Sequence, residues 1–412
     1  MNTLADSMKQ LSLDTPPRSE PFSIPTDPFD KTSQSSRKAF DQALKEVPRY
    51  LFRLYSRYSV GSTDTEWVKS AYALAPPDPS EKRPQRNIVA RSDKRKAAKD
   101  LHGHLAPRKF RSQDSNLVSW SSSLLFVLRY GVFLNQLDSA MYELADTHIL
   151  VVDTTRLPAK SFVSDIALMR FFGDENEDLL NVRMNMRENG RFYTGEYLSQ
   201  SALHVQGCCT TFTMLDIYQK GLYHLRDDFD KNGRWMKEVN RLREAFNSDS
   251  ESTLTRHHRN AIEKLAELFE APWRLPMAAN FMTLLPFRLE DPQIHDLCAT
   301  FCTTDYGEGI LSLQNAFVEV SDHLPEVKQC RYIIDHWIVS LMLCKAQADL
   351  RYDLRRILAV AGQAHGEMGG SIRLENMHLL RSMEFEIANA EDALGYEKLA
   401  ILKRRWGGDG SA

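Results

Sequence analysis

Three short segments of the 412-residue chain carry side chains that suit chemistry on a phosphorylated sugar. Arg53 lies in LFRLYS, Ser119 and Ser121 lie in LVSWSSSL, and Glu196 lies in TGEYLSQSAL. An arginine makes forked contacts with a diphosphate. A carboxylate stabilises the positive charge that develops on a ribose when its bond to nicotinamide breaks. These residue types suit a site for a phosphorylated ribose, with Glu196 as the candidate catalytic residue and Arg53, Ser119 and Ser121 as the candidate binding residues.

Each of these segments is predicted to lie on a strand. Aromatic and apolar residues with Pro48 at their start predict a strand over 48–55. The same reasoning predicts strands over 116–121, 148–153 and 191–198, and a helix over 123–133 directly after the serines. The hypothesis requires that the first, second and last of these strands bring Arg53, Ser121 and Glu196 into one cleft.

The order Arg, Ser-x-Ser, Glu is similar to the R-S-E class of ADP-ribosyltransferases, which includes cholera-like and heat-labile enterotoxins. In that family an Arg ends the first core strand, an S-T-S motif lies between a strand and a helix, and an E-x-E motif follows. The segments PRYLFR, WSSSL and GEYLS also resemble a domain, frequent in fungal proteins, that has no assigned function. The resemblance covers about residues 47–207. It implies a split β-sheet domain that uses NAD as a mono-ADP-ribosyltransferase or NAD glycohydrolase, with an unknown acceptor.

Two residues depart from the family pattern. Thr194 stands where the family has the first Glu of E-x-E, which helps activate an arginine acceptor. The resemblance then implies NAD hydrolysis or transfer to another acceptor. Trp120 stands where the family has a threonine, and its bulk is expected to reshape or block the pocket. The alternative function is therefore a catalytically inactive module of the same fold that binds a protein partner.

Composition along the chain predicts three regions. Residues 1–38 are rich in Ser, Thr, Pro and Asp and predict a disordered N-terminal tail. Residues 39–210 form the predicted α+β domain, and helical periodicity predicts an all-α C-terminal region over 211–412. Several prolines and then a run of cations predict one long basic loop over 76–113.

Charge and cysteine content narrow the partners. A net charge of -3 argues against a chain that binds nucleic acid along its length, which leaves the basic stretch 82–111 as the one candidate. No aromatic residues interleave with its central cations, Arg91, Lys94, Arg95, Lys96 and Lys99, so nucleic-acid binding is disfavoured there as well. Six cysteines without a C-x-x-C pair are expected to be reduced thiols.

The remaining motifs predict no metal and no membrane anchor. His102 and His104 have no carboxylate or cysteine at ligand spacing, so we expect no metal site. The chain lacks a secretory signal pattern and an apolar run of about 20 residues. We therefore expect an intracellular protein, cytoplasmic or nuclear.

Overall fold

The computed structural model describes most of the first 287 residues and a shorter part of the rest. The described ranges are 21–23, 34–74, 87–105, 115–173, 175–190, 192–231, 233–247, 254–287, 317–319 and 321–339, with single residues at 294, 297, 352, 353, 356 and 382. The chain divides into two compact units, one made of Met1–Arg288 and Ala316–Arg331, the other of Leu289–Asn315 and Tyr332–Ala412.

The first unit is built on an antiparallel six-stranded sheet. Its strands lie in the order β6-β7-β4-β1-β5-β9. They span Tyr50–Tyr55 (β1), Leu117–Ser121 (β4), His148–Asp153 (β5), Val163–Ser164 (β6), Glu196–Gln200 (β7) and Cys209–Thr213 (β9). The three motif strands β7, β4 and β1 are therefore neighbours. A mixed α+β fold is confirmed by this sheet and the helices around it.

A second, three-stranded sheet packs on one face of the first. It has the order β2-β3-β8, formed by Ser62–Thr63, Trp67–Lys69 and Ala202–His204. Val68 and Leu203 of this sheet join Leu51, Trp120 and Leu150 of the large sheet in one apolar cluster. The fold thus contains two separate sheets with a shared core.

Helices cover the other face of the large sheet. Eleven α-helices lie among the described residues between Gln34 and Met282. They are Gln34–Ala43 (α1), Ala71–Leu74 (α2), Lys94–Leu105 (α3), Leu124–Leu137 (α4), Asp165–Phe172 (α5), Glu177–Val182 (α6), Met214–Gln219 (α7), Leu222–Leu225 (α8), Trp235–Glu244 (α9), Arg256–Ala266 (α10) and Ala271–Met282 (α11). A second apolar cluster joins Leu117 and Leu198 of the sheet to buried residues of α1, α3 and α5.

The predicted basic loop over 76–113 contains regular structure, which corrects the sequence prediction. Lys94–Leu105 is an α-helix, preceded by a 3-10 turn over Ile88–Ala90. Ala97, Ala98 and Leu101 are buried on one side of the helix. A narrow apolar stripe within a cation-rich segment is enough to hold a helix against the sheet.

The tail and the predicted domain boundary also differ from the sequence analysis. Phe22 lies within the predicted tail but is fully buried, and its N–H donates to the Lys160 carbonyl at 3.0 Å. The strand Cys209–Thr213 crosses the predicted boundary at 210 and completes the large sheet beside β5. The helices that follow, to Met282, belong to the same compact unit as the sheets.

Several predicted helices in the C-terminal half are confirmed, and others lie outside the described residues. Helices begin at Met214, Trp235 and Arg256, within the predicted all-α region over 211–412. Pro276 lies inside α11. In the second unit, residues 332–339 are helical, and the Trp337 indole donates to the Ile294 carbonyl at 3.3 Å. Of the predicted all-α region beyond residue 356, residue 382 alone is among the described residues.

Candidate functional site

Ser121 and Glu196 are paired across two neighbouring strands. The antiparallel ladder of β4 and β7 sets Ser121 directly opposite Glu196. The Ser121 hydroxyl donates to the Thr194 carbonyl at 2.7 Å and accepts from the Ser123 N–H at 3.0 Å. The serine therefore holds the backbone just before Glu196.

Arg53 contacts the serine strand from β1. The ladder between β1 and β4 has one registered pair, Phe52 opposite Ser121. Next to that pair, a terminal nitrogen of Arg53 donates to the Ser119 carbonyl at 2.9 Å, and Nε donates to Thr63 Oγ1 at 3.0 Å. The structure thus brings the predicted arginine and the predicted serine segment together.

The sheet register separates the Arg53 side chain from that of Glu196. Residues opposite each other in a ladder share a face of the sheet, and successive residues alternate between faces. Phe52, Ser121 and Glu196 therefore share one face. Arg53 projects from the other face, opposite Leu150 of β5. Convergence of all three predicted side chains in one cleft is not what this register produces.

Arg187 is the cation beside Glu196. One terminal nitrogen of Arg187 lies 2.8 Å from Glu196 Oε2. The other donates to the Phe192 carbonyl at 2.6 Å and to Thr194 Oγ1 at 3.0 Å. Arg187 lies on a π-helical turn, Arg183–Glu188, in a segment that sequence analysis left without a role. Nothing in the local sequence distinguishes Arg187 from the other arginines there.

Asp165 adds a second carboxylate to this cluster. It begins α5, is fully buried, and its Oδ2 lies 3.2 Å from Arg187 Nε. Burial raises the pKa of Asp165 to about 7, with a further rise from Glu196 and a partial reduction from Arg187. Asp165 therefore holds its proton to a higher pH than an exposed aspartic acid does. Charge–charge coupling of this kind is typical of functional sites and of structural ion networks.

The Ser119 side chain is hydrogen-bonded to a histidine and not to Glu196. Its hydroxyl lies 2.9 Å from Nε2 of His104, whose Nδ1 lies 2.8 Å from the Ser115 hydroxyl. His104 is on α3, which covers the same face of the sheet as Glu196. His104, considered for a metal from sequence, is thus held between two serine hydroxyls. Among the described residues, no cluster of three or more His, Cys, Asp or Glu has the geometry to hold a metal ion.

Trp120 does not lie between Ser121 and Glu196. It is 2% exposed and packs edge-on against Phe162, with ring centroids 5.5 Å apart. Its indole N–H donates to the Ser199 hydroxyl at 2.9 Å. Because it alternates with Ser119 and Ser121 along β4, it lies on the Arg53 face and fills the core between the two sheets. It therefore cannot block the Ser121–Glu196 pair from where it lies.

Some cations of the basic stretch are paired with groups in the same stretch. Arg91 forms an ion pair with Asp100 at 2.6 Å, and Lys94 donates to the Val89 carbonyl at 2.6 Å. Arg95, Lys96 and Lys99 lie on the exposed side of α3. The described part of this stretch is thus a helix with three exposed cations.

Comparison with known families finds one match. Residues 46–216 match a family described as a domain of unknown function (DUF7587). The match contains Arg53, the serine segment, Arg187 and Glu196. No curated protein and no solved structure matches the chain. Within the described helices, none has both the length and the apolar character needed to cross a lipid bilayer.

Proposed function

We propose that the domain over 46–216 binds NAD and breaks its bond between nicotinamide and ribose, with water or an unidentified acceptor receiving the ADP-ribose. The observation that carries this proposal is the adjacency of three segments on neighbouring strands. Arg53 of β1 donates to the Ser119 carbonyl of β4, and Ser121 of β4 is paired with Glu196 of β7. The resemblance of these segments to the R-S-E class supplies the choice of NAD.

Glu196 acts on the bond between nicotinamide and ribose. The bond from the ribose carbon to the nicotinamide nitrogen breaks, and its electron pair leaves with nicotinamide, which departs neutral. The Glu196 carboxylate stabilises the resulting oxocarbenium-like ribose. A water oxygen then bonds to that carbon and loses a proton to solvent, which yields ADP-ribose. Arg187, bonded to Glu196 Oε2, orients the carboxylate.

Thr194 favours hydrolysis over transfer to arginine. Its side chain is buried, and its hydroxyl receives a hydrogen bond from Arg187. It offers neither a carboxylate nor an exposed hydroxyl to an incoming acceptor. We therefore expect free ADP-ribose to be a main product.

A second candidate is a non-catalytic module that binds a protein partner. The observation that favours it is the register, since the Arg53 side chain and the Glu196 side chain leave opposite faces of the sheet. Glu196 is also only 13% exposed at its side chain and is already paired with Arg187. On this proposal, the same polar cluster serves to hold the fold together.

Nicotinamide release separates the two candidates. The full chain is incubated with NAD and nicotinamide is quantified over time, alongside Glu196→Gln and the control Glu267→Gln, whose side chain is 61% exposed. Catalysis predicts release by the wild type and the control, with a loss of about 10²–10³-fold in Glu196→Gln. Absence of release by the wild type and by the Glu319 and Glu326 variants described below, with no NAD binding to any of them by calorimetry at millimolar concentration, supports the non-catalytic module.

A further inference from the structure

A segment distant in sequence covers the end of the β4–β7 ladder where Ser121 and Glu196 are paired. Residues 317–319 and 321–331, here called the strap, lie in the first compact unit. They lie outside the family match, which ends at 216. The strap is therefore an addition to the matched domain rather than part of it.

Glu319 of the strap is bonded to the residue that follows Ser121. The Ser122 hydroxyl donates to Glu319 Oε2 at 2.6 Å, and the Tyr193 hydroxyl donates to Oε1. The Ser122 N–H donates to the Gly195 carbonyl at 2.9 Å, which extends the ladder one step beyond the Ser121–Glu196 pair. Glu319 thus covers this end of the ladder by contacting Ser122, which is 197 residues away in the sequence.

Gly195 shows how closely the strap is packed there. It has a φ of +62°, and a Cβ at this position would collide with the Ser122 hydroxyl and press on Leu324 of the strap. Leu324 is fully buried. Only a glycine allows the backbone before Glu196 to lie against both elements.

Glu326 forms a second polar anchor of the strap. It is fully buried and accepts from the Ser123 hydroxyl at 2.6 Å. Arg243 of α9 donates to it from a terminal nitrogen at 2.8 Å and also bonds the Tyr193 carbonyl at 2.7 Å. Ser123 caps the N-terminus of α4, where a carboxylate is stabilised by the helix dipole. Both anchors therefore act on the serine segment and on the loop that leads to Glu196.

The loop before Glu196 is covered along its length. His323 of the strap lies against Gly190, and its ring is edge-on to Tyr193 with centroids 6.3 Å apart. The Phe317 carbonyl accepts from the Arg49 N–H at 3.1 Å, beside the start of β1. Ser121, Ser122 and Thr194 are buried under this arrangement. The strap therefore covers the residues that flank Glu196 at the ladder end.

We propose that the strap is an autoinhibitory cover, which must leave the ladder end before NAD reaches Glu196. This inference rests on the proposed function. Its anchors are the carboxylates of Glu319 and Glu326, which accept hydrogen bonds from hydroxyl groups and from the Arg243 guanidinium. Water replaces these hydrogen bonds when the strap leaves. A shift in the closed-to-open population then controls the rate of NAD cleavage.

The test weakens the anchors and measures opening and cleavage separately. Glu319→Gln and the double variant Glu319→Gln with Glu326→Gln remove charge from the anchors while keeping side-chain size. Asp322→Asn is the matched control, because Asp322 belongs to the strap and its side chain is 86% exposed. Hydrogen–deuterium exchange over 190–196 and 317–331 reports opening, and nicotinamide release reports cleavage. His323→Ala replaces the double variant if that protein does not fold.

Each outcome decides one of the two proposals. Faster exchange in both segments with nicotinamide release raised about tenfold or more, and no change in Asp322→Asn, supports the cover. Release that occurs in the wild type and stays unchanged in the opened variants overturns it. If neither the wild type nor any variant releases nicotinamide, the proposed function fails, and hydrogen–deuterium exchange is then the one test of whether the strap opens. Local opening with β4 and β7 still protected then supports a separable cover, and exchange that rises only with global unfolding overturns it.

Discussion

Nη2 of Arg187 lies 2.8 Å from Oε2 of Glu196, and Nε of the same guanidinium lies 3.2 Å from Oδ2 of Asp165. One cation therefore serves two carboxylates in a region where little water enters. Removing either partner of such a buried pair leaves an uncompensated charge, which is more costly than the pair is favourable. This relationship makes the cluster a sharp target for substitution.

Arg187→Gln is expected to lower the free energy of unfolding by about 3–5 kcal/mol, because Glu196 loses its buried counterion. Chemical denaturation at pH 7 measures the change. Arg170→Gln is the control, since Arg170 is also 2.8 Å from a carboxylate, Glu188, but is 66% exposed at its side chain. Its loss is expected to cost under about 1 kcal/mol. Equal losses for the two variants would contradict the importance of burial.

Asp165→Asn is expected to change how stability depends on pH. Burial raises the pKa of Asp165 from 3.8 to about 7, so the folded protein binds this proton more tightly than the unfolded chain does. The stability that the proton contributes is complete below pH 3.8 and is lost as pH rises through about 7. The variant should therefore gain stability relative to the wild type between those limits, on the order of 2–4 kcal/mol. Denaturation curves at several pH values measure this, and parallel profiles for both proteins would refute it.

Ser123→Ala is expected to cost more than the loss of an ordinary helix cap. Ser123 caps α4 by accepting from the Phe126 N–H, and it also donates to buried Glu326. We expect a loss of about 2–3 kcal/mol, of which about 1 kcal/mol is the cap. Ser164→Ala is the comparison, because Ser164 caps α5 by accepting from the Ala167 N–H. Thermal or chemical unfolding measures both, and a matching small loss would show that the Glu326 contact contributes nothing.

Arg53→Lys is expected to destabilise the junction of β1 and β4. A lysine cannot donate to Thr63 and the Ser119 carbonyl with the same geometry, so we expect a loss of about 1–3 kcal/mol. Arg57→Lys is the control, because Arg57 is 58% exposed. If Arg53 also holds a diphosphate, KM for NAD rises in Arg53→Lys while kcat changes little. A lower kcat at unchanged KM would place Arg53 outside the NAD-binding surface.

Local sequence patterns predicted the elements whose side chains repeat with a clear period. The strand His148–Asp153 has the predicted bounds. Its short, unbroken apolar run is typical of a strand that is buried on both faces of a sheet. The predicted strand 191–198 instead begins at Glu196. Gly195, at a positive φ, ends the preceding loop. The strand propensities of residues 191–195 did not indicate that turn.

Elements held by distant contacts were beyond reach of the same reasoning. Lys94–Leu105 is a helix because three apolar residues find a core supplied by α1, α5 and the sheet, although its composition is that of a basic loop. The residues of Cys209–Thr213 are mostly polar and do not predict a strand. The segment is a strand because it pairs with the edge of β5. Propensity is a weak prior that tertiary contacts override.

The sequence by itself determined the mixed α+β class, the order of the Arg, Ser and Glu segments, and the strands that carry the arginine and the serines, since these follow from local periodicity and residue type. Only the tertiary structure decided that Arg187 rather than Arg53 accompanies Glu196, and that Trp120 lies on the opposite face from Ser121. It also decided that Glu319 covers the ladder end. The reason is that register and face depend on which strands pair, and a contact across 197 residues leaves no periodic trace in the chain.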